Sequence, residues 1–214
     1  GTRQVMTTDH LRAFVEDPVT MARIAVVHAL GDIWAMGAEP QAATASITLP
    51  RMSEALAQRS LTEILTAASA ILREAGAEIV GGHSSMGDET TIGFTLTGLC
   101  VAEPITLSGA REGDALVLTK PLGSGVIMAA EMAGAACGAW VAAALASMTR
   151  SQGDAAALLR GAHAMTDVTG FGLAGHLHGI LMASGKSAEL RRDAIPLLDG
   201  ALELAAQGQR STLY

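Results

Sequence analysis

Residues 166–176 read Thr-Asp-Val-Thr-Gly-Phe-Gly-Leu-Ala-Gly-His, an acidic, glycine-rich stretch that then turns apolar and helical. In it, Asp167 stands between two threonines just before the predicted helix start. Carboxylates are the hard oxygen ligands that Mg²⁺ prefers, and the amide groups at a helix start bind anions. The stretch therefore predicts a loop that binds a magnesium-bound phosphate. An ordinary N-cap carboxylate is the alternative, and this stretch alone leaves both open.

Two companion stretches strengthen this prediction, Gly-Asp-Ile-Trp-Ala-Met-Gly-Ala at 31–38 and Gly-Gly-His-Ser at 81–84. Asp32 lies in the last turns of a predicted helix, where the helix dipole disfavours an anion, so we expect a ligand role or a cationic partner. A surface ion pair with Arg23 is an equally good alternative. The second stretch follows a predicted strand, so its backbone could approach a phosphate or a base closely, and a tight turn is the alternative. Its candidate residues are Gly81, Gly82 and His83.

A third candidate carboxylate, Asp9, follows two threonines at the end of a predicted strand, although a lone Asp there is more often a turn former. Together Asp9, Asp32 and Asp167 could hold two or more magnesium ions that bridge a polyphosphate. The sequence has no Walker lysine motif and no kinase glycine-rich loop, so an ATP site must be of another kind. His176 and His178 are two residues apart on a predicted helix, which makes them a poor metal pair.

Composition sets wide limits on the class of protein. The 214 residues are enough for one large domain or two small ones, and the formal net charge of −7 argues against a nonspecific nucleic-acid surface. The two cysteines, Cys100 and Cys137, form no CxxC pair, which suits a reducing cytoplasm and gives no zinc site. Residues 132–149 lack charge, but they fall short of a membrane span and predict a buried helix instead. We expect no nucleic-acid or membrane partner.

Strands mixed with amphipathic helices predict an α+β (mixed α/β) fold in two domains, 1–105 and 106–214. In the first domain we predict a helix that begins at Asp17-Pro18 and runs to about Met36, a half-buried strand at 42–49, and a short strand at 77–80 followed by a polar loop at 81–89. In the second domain we predict strands at 115–119 and 187–191, with helices near 126–148, 153–163, 171–184 and 199–207.

In these motifs the chain resembles selenophosphate synthetase (selenide, water dikinase), within the superfamily that includes aminoimidazole ribonucleotide synthetase. The resemblance runs essentially from end to end. It rests on Thr7-Thr8-Asp9, Asp17-Pro18, the 31–38 and 81–84 stretches, Leu118-Thr119-Lys120-Pro121-Leu122-Gly123, and above all Thr166-Asp167-Val168-Thr169-Gly170-Phe171-Gly172.

The resemblance implies a two-domain aminoimidazole ribonucleotide synthetase-like fold and a cytoplasmic homodimer paired through its first domains. It implies a reaction that takes ATP, selenide and water to selenophosphate, AMP and phosphate. By the same resemblance Asp9 and Asp32 contact ATP, Asp32 and Asp167 bind Mg²⁺, and Gly81, Gly82 and His83 contact the nucleotide.

The chain also departs from the family pattern. The family's upstream glycine-rich segment with a catalytic Cys and Lys is absent, neither Cys100 nor Cys137 matches that thiol, and His28 stands where the family has Asn. We therefore expect no catalytic residue in this chain, and a piece of a longer synthetase that alone is inactive. Two alternatives stay open. One is a non-catalytic nucleotide-binding or dimerisation module, and the other is a related small-molecule kinase such as a thiamine-monophosphate kinase-like enzyme.

Overall fold

A computed structural model describes residues 2–211 of the chain, and the chain divides into two compact units. The first unit contains Gly1–Pro104 together with Ser151–Arg160, and the second contains Ile105–Arg150 together with Gly161–Tyr214. The first unit is therefore discontinuous in sequence, because a short segment far along the chain returns to it.

The first unit is built on a four-stranded sheet with two long helices. Its elements are β1 (Arg3–Arg12), α1 (Pro18–Ala35), β2 (Glu39–Pro50), α2 (Glu54–Glu74), β3 (Glu78–Gly87), β4 (Thr91–Cys100) and α5 (Gly153–Leu158). The strand order is β1-β4-β2-β3, so β1 and β3 are the edges. Strand β4 pairs antiparallel with β1 and with β2, whereas β2 and β3 run parallel. The parallel pair is joined through α2, as a parallel crossover requires.

Helix α1 begins and ends where the sequence predicts. The Asp17 carboxylate caps it, because Oδ2 accepts hydrogen bonds from the amide of Thr20 at 2.8 Å and from its hydroxyl at 2.5 Å. Pro18 occupies the first helical position, where its missing N–H removes no helical hydrogen bond. After the helix, Gly37 has a φ of 67°, a left-handed conformation that glycine adopts without strain. The capping prediction is confirmed.

The two faces of the sheet differ in polarity. On β2, Ala43, Ala45, Ile47 and Leu49 are buried on the helix side, as their alternation predicts. The other side, called here the open face, carries hydroxyl side chains and is not packed against α1 or α2. Hydrogen bonds between neighbouring strands run along it, from Thr8 to Thr95 at 2.5 Å and from Thr48 to Ser85 at 3.2 Å. The apolar core between helices and sheet includes Met21, Val26, Leu30, Ile33, Ile64, Leu72, Ile92, Phe94 and Leu96.

The segment after residue 80 is a strand and not the loop expected from its glycines. Strand β3 continues to Gly87 because its residues pair in register with β2, Gly82 opposite Ala45 and Met86 opposite Leu49. A register shift lies between Ala43 and Thr44. Parallel pairing with β2 outweighs the weak strand preference of glycine, so the predicted polar loop at 81–89 is wrong over most of its length.

The second unit is mainly helical in the part of the chain that the structure describes. Its helices are α3 (Ser124–Met132), α4 (Gly138–Thr149), α6 (Gly172–Ser184) and α7 (Ala201–Ala206), with a 3-10 turn at Arg192–Ala194. Helix α3 packs against α4 and α7. A single parallel bridge joins Leu122 to Leu197.

Four predictions for this unit are wrong. The strands expected at 115–119 and 187–191 are not regular strands in the structure, since apart from the Leu122–Leu197 bridge the described residues of this unit form no ladder. The helix expected near 126–148 is two helices, broken where Gly134 adopts a φ of 66°. Helix α4 is also not a buried helix, because among its residues only Ala144 is buried. Within residues 2–211, the structure has no helix with the length and apolarity needed to cross a membrane.

Candidate functional site

The structure gives Asp32 a hydroxyl partner from strand β1. Thr7 Oγ1 donates a hydrogen bond of 2.5 Å to Asp32 Oδ2, and the pair is partly buried between α1 and the sheet. A hydrogen bond to a carboxylate is stronger than one between neutral groups. Asp32 keeps acceptor capacity, because a carboxylate has two oxygens and about four lone-pair sites. The surface ion pair with Arg23 is not the arrangement seen. The carboxylate is instead held at a helix end with an oxygen still able to bind a cation.

Asp9 is held by two groups. The imidazole Nε2 of His28 lies 2.7 Å from Asp9 Oδ2, and the backbone amide of His10 donates to Asp9 Oδ1 at 2.8 Å. Burial raises the pKa of Asp9, but the hydrogen bond and charge of His28, with the His10 amide, outweigh it. The pKa therefore lies below its usual value of 3.8. Asp9 is thus an anion at neutral pH, fixed against α1 and not exposed in a turn.

These four residues form one continuous arrangement, called here the α1–β1 seam: Thr7, Asp9, His28 and Asp32. On a strand, side chains two residues apart share a face, and on a helix side chains four apart do. Thr7 and Asp9 have the first spacing, and His28 and Asp32 have the second. The two hydrogen-bonded pairs therefore lie side by side along the contact between helix and strand. The seam brings together two of the three predicted carboxylates.

The predicted nucleotide-contacting residues lie elsewhere in the first unit. Gly81, Gly82 and His83 are on β3, which β2 and β4 separate from β1. Neighbouring strands are about 4.8 Å apart, so β3 lies roughly 14 Å from β1. His83 is opposite Ser46 in register, and both are exposed on the open face, whereas the seam is on the helix side. One chain does not bring these residues together with Asp9 and Asp32.

The acidic loop with Asp167 precedes α6 in the second unit. Next to it, the Thr169 amide donates to His176 Nε2 at 3.1 Å, and the Thr169 hydroxyl lies 3.2 Å from the same atom. Asp167 has an interaction with a neighbouring group, so it is not a free carboxylate. Among residues 2–211 there is no cluster of three or more His, Cys, Asp or Glu side chains placed to hold a metal ion. Magnesium binding by Asp32 and by Asp167 stays a prediction.

Three partners of the candidate residues were not predicted from the sequence. From the sequence, Thr7 is only part of a motif, His28 is only a departure from the family pattern, and His176 is only half of a poor metal pair. The signal was present for two of them. Thr7 and Asp9 share one face of β1, and His28 and Asp32 share one face of α1. Once β1 is known to pack beside α1, these spacings pair Thr7 with Asp32 and Asp9 with His28. Nothing in the sequence shows that Thr169 bonds His176.

Comparison with known proteins gives matches over nearly the whole chain. Residues 1–101 match the AIR synthase related protein N-terminal domain, and residues 111–208 match the AIR synthase related protein C-terminal domain. A selenide, water dikinase of Nitratidesulfovibrio vulgaris (strain Miyazaki F) is 41% identical over 97% of this chain and 60% of its own length. One of Geobacter metallireducens is 38% identical over 97% of this chain and 61% of its own length. The chain thus spans about 60% of the length of these relatives.

Solved structures share the fold at lower sequence identity. Thiamine-monophosphate kinase from Stenotrophomonas maltophilia superposes with a TM-score of 0.82 at 20% identity, covering 98% of this chain and 71% of that one. The hydrogenase maturation protein HypE in complex with ATP superposes with a TM-score of 0.80 at 21% identity, covering 99% of this chain and 65% of that one. Together with the two domain matches, these similarities confirm the predicted mixed α/β, AIR synthase-like fold.

Proposed function

This chain belongs to the AIR synthase related family, with selenide, water dikinases among its relatives, and from that membership we propose that it is the ATP- and magnesium-binding core of such an enzyme. The proposed reaction of the whole protein converts ATP, selenide and water into selenophosphate, AMP and phosphate. Within it, this chain supplies the groups that hold the nucleotide and its metal. Neither Cys100 nor Cys137 has a catalytic role in the proposed reaction.

The α1–β1 seam carries this proposal. It holds two carboxylates, each by hydrogen bonds of 2.5–2.8 Å, in a partly buried position where their orientation is fixed. Carboxylate oxygens are the donors that Mg²⁺ takes, and Mg²⁺ usually binds through one or two carboxylates plus substrate phosphates. The residues of the seam therefore fit the metal.

We propose Asp32 of the first unit and Asp167 of the second unit as Mg²⁺ ligands, and Asp9 as a nucleotide contact. The metal would neutralise phosphate charge and orient the phosphates for attack by a nucleophile. Thr7 would keep Asp32 in one orientation through its hydroxyl. His28 would keep Asp9 ionised and in place, so that the nucleotide meets a preorganised surface.

Magnesium-dependent ATP binding tests the proposal on the chain itself. Isothermal titration of ATP into the chain should give saturable heat with Mg²⁺ and none with EDTA. Asp32→Asn should abolish the Mg²⁺-dependent part. Asp154→Asn makes the same charge change at an exposed residue of α5 and should bind as the unaltered chain does. Equal binding by both variants would refute the assignment of Asp32.

The substrate assignment needs the complete gene product. Incubated with ATP and selenide, it should release AMP and phosphate only when selenide is present. Release of ADP with another small molecule would identify a kinase of the thiamine-monophosphate kinase kind. Tight nucleotide binding without any turnover would identify the non-catalytic alternative.

We also propose that the protein is a cytoplasmic homodimer in which each nucleotide site draws on both subunits. The support is the separation within one chain, since Gly81, Gly82 and His83 lie on β3, the edge strand opposite β1, and His83 is exposed on the open face. Edge strands and an uncovered polar face are features that a second subunit can cover. Sedimentation should give a dimer at micromolar concentration, and a monomer would contradict the proposal. The two free thiols suit the reducing cytoplasm.

A mixing experiment tests the shared site. Asp32→Asn and His83→Ala should each lose Mg·ATP binding as pure homodimers. After the two are unfolded together and refolded, half of the dimers are mixed and one of their two sites is intact, so about a quarter of the sites should bind. No recovery in a mixture shown to contain mixed dimers would place both residues in the same subunit's site.

A further inference from the structure

His176 has a structural role that the proposed function leaves unassigned. It lies in the second turn of α6, and its Nε2 faces back toward the loop before the helix. There it lies 3.1 Å from the Thr169 amide nitrogen and 3.2 Å from the Thr169 hydroxyl oxygen. The Nε2 atom of His176 thus lies within hydrogen-bond distance of two polar groups of Thr169.

The hydrogen-bond chemistry fixes the state of the ring. A backbone N–H can only donate, so Nε2 must carry the lone pair and the ring proton must be on Nδ1. The Thr169 hydroxyl contact then has the hydroxyl as donor. The ring of Phe171, at the helix start, lies 6.0 Å from that of His176, centroid to centroid. His176 is half-buried, whereas His178 is exposed.

The helix start makes this contact important. The residue before α6, Phe171, provides no side-chain hydrogen bond to cap the helix, and α6 begins at Gly172 with a φ of 67°. The loop is therefore not fastened by an ordinary N-cap. The amide of Gly172 donates to the Thr169 carbonyl at 2.9 Å at the helix start. The two bonds from Thr169 to His176 add a second attachment, which reaches about one and a half turns into the helix.

We propose that His176 is a positioning residue, which holds Thr169 and thereby sets the orientation of Asp167 two residues earlier. This inference rests on the proposed function, because it matters for activity only if Asp167 binds Mg²⁺. Metal ligands must be held to within about 0.5 Å of their productive positions, and supporting hydrogen bonds do this. The acceptor on His176 is such a support.

Amide hydrogen exchange of the chain without ligand tests the contact by itself. In His176→Ala, the Thr169 amide should exchange about tenfold faster, which is the upper range expected for losing one hydrogen bond. His176→Gln should restore slow exchange, because its side-chain carbonyl can accept the same bonds. His178→Ala should exchange like the unaltered chain. Unchanged protection of Thr169 in His176→Ala would overturn the inference whatever the protein binds.

The Mg²⁺ dependence of ATP binding tests the positioning role. The Mg²⁺ concentration at half-saturation should rise about five- to tenfold in His176→Ala, as for loss of an outer-shell support, and return toward normal in His176→Gln. Faster amide exchange with unchanged Mg²⁺ dependence would show a purely structural contact and would overturn the positioning role. If the unaltered chain shows no Mg²⁺-dependent binding, the proposed function fails, and the exchange experiment still decides the contact.

Discussion

Replacing Thr7 by Val tests whether the seam is a working part of the site. The two side chains have nearly the same shape, so the change removes one hydroxyl and little else. The lost bond is 2.5 Å long and ends on a carboxylate. Hydrogen bonds to charged groups contribute about 1.5–3 kcal/mol, and water can partly replace the donor at a half-buried site, so we expect a loss of ~1–1.5 kcal/mol in the free energy of unfolding.

The neighbouring residue supplies a matched control. Thr8 also makes a 2.5 Å bond, to Thr95, but between neutral groups on the open face. Thr8→Val should therefore cost less, about 0.5 kcal/mol, and should not change Mg²⁺-dependent ATP binding. Urea unfolding gives the stability and isothermal titration gives the affinity. In Thr7→Val the affinity should fall about five- to tenfold, with recovery in Thr7→Ser. Indistinguishable results for Thr7→Val and Thr8→Val in both assays would refute the reasoning.

Three further changes have outcomes fixed by the structure. Asp9→Asn should lower the urea midpoint at pH 7, and the difference should shrink as pH falls below 3.8, because a carboxyl whose pKa is lowered on folding stabilises only above that range; a constant difference would contradict this. Gly82→Ala should lower the free energy of unfolding by more than ~2 kcal/mol, since the new Cβ would lie 2.2 Å from a backbone oxygen. Gly81→Ala has room for a Cβ and should lower it by less than ~1 kcal/mol. Equal thermal midpoints for the two variants would count against the β2–β3 register. Burial, with the charge of Arg150, lowers the pKa of Lys120 to about 8. Because the unfolded chain then binds more protons than the folded chain between about pH 8 and 10, the urea midpoint should rise over this range. In Lys120→Met the urea midpoint should change less with pH.

In the first unit, helix-capping residues and the alternation of apolar residues predict the ends of α1 and the buried face of β2. Asp17-Pro18 and Gly37 fix the ends of α1, because capping and backbone conformation act within a few residues. The alternation on β2 predicts its buried face for the same reason. The extension of β3 beyond residue 80 is not predictable from local sequence, since Gly81 and Gly82 are strand residues only through their pairing with β2. Pairing of that kind is a property of the sheet and not of the segment.

In the candidate site, too, some features can be predicted from local sequence and others depend on the tertiary structure. The residue types and motif order pointed to Asp9 and Asp32, and the structure places both in one seam. The partners of these carboxylates depend on which strand lies beside α1, which spacing within the sequence does not show. In the second unit, the local sequence predicts strands at 115–119 and 187–191. A strand exists only where another strand pairs with it, and these segments pair with none among the described residues.

The α1–β1 seam also distinguishes the correct register of β1 from a shifted one. Because side chains alternate along a strand, a slip of β1 by one residue against β4 would turn Thr7 and Asp9 to the outside and present Thr8 and His10 to the helix. Such a misfolded molecule could still form a sheet of four strands. It would leave the Asp32 carboxylate without its hydroxyl donor and His28 without its carboxylate. The polar contacts of the seam therefore form only when β1 has the correct register. A ligand that binds the seam would stabilise molecules with that register over molecules with a shifted strand.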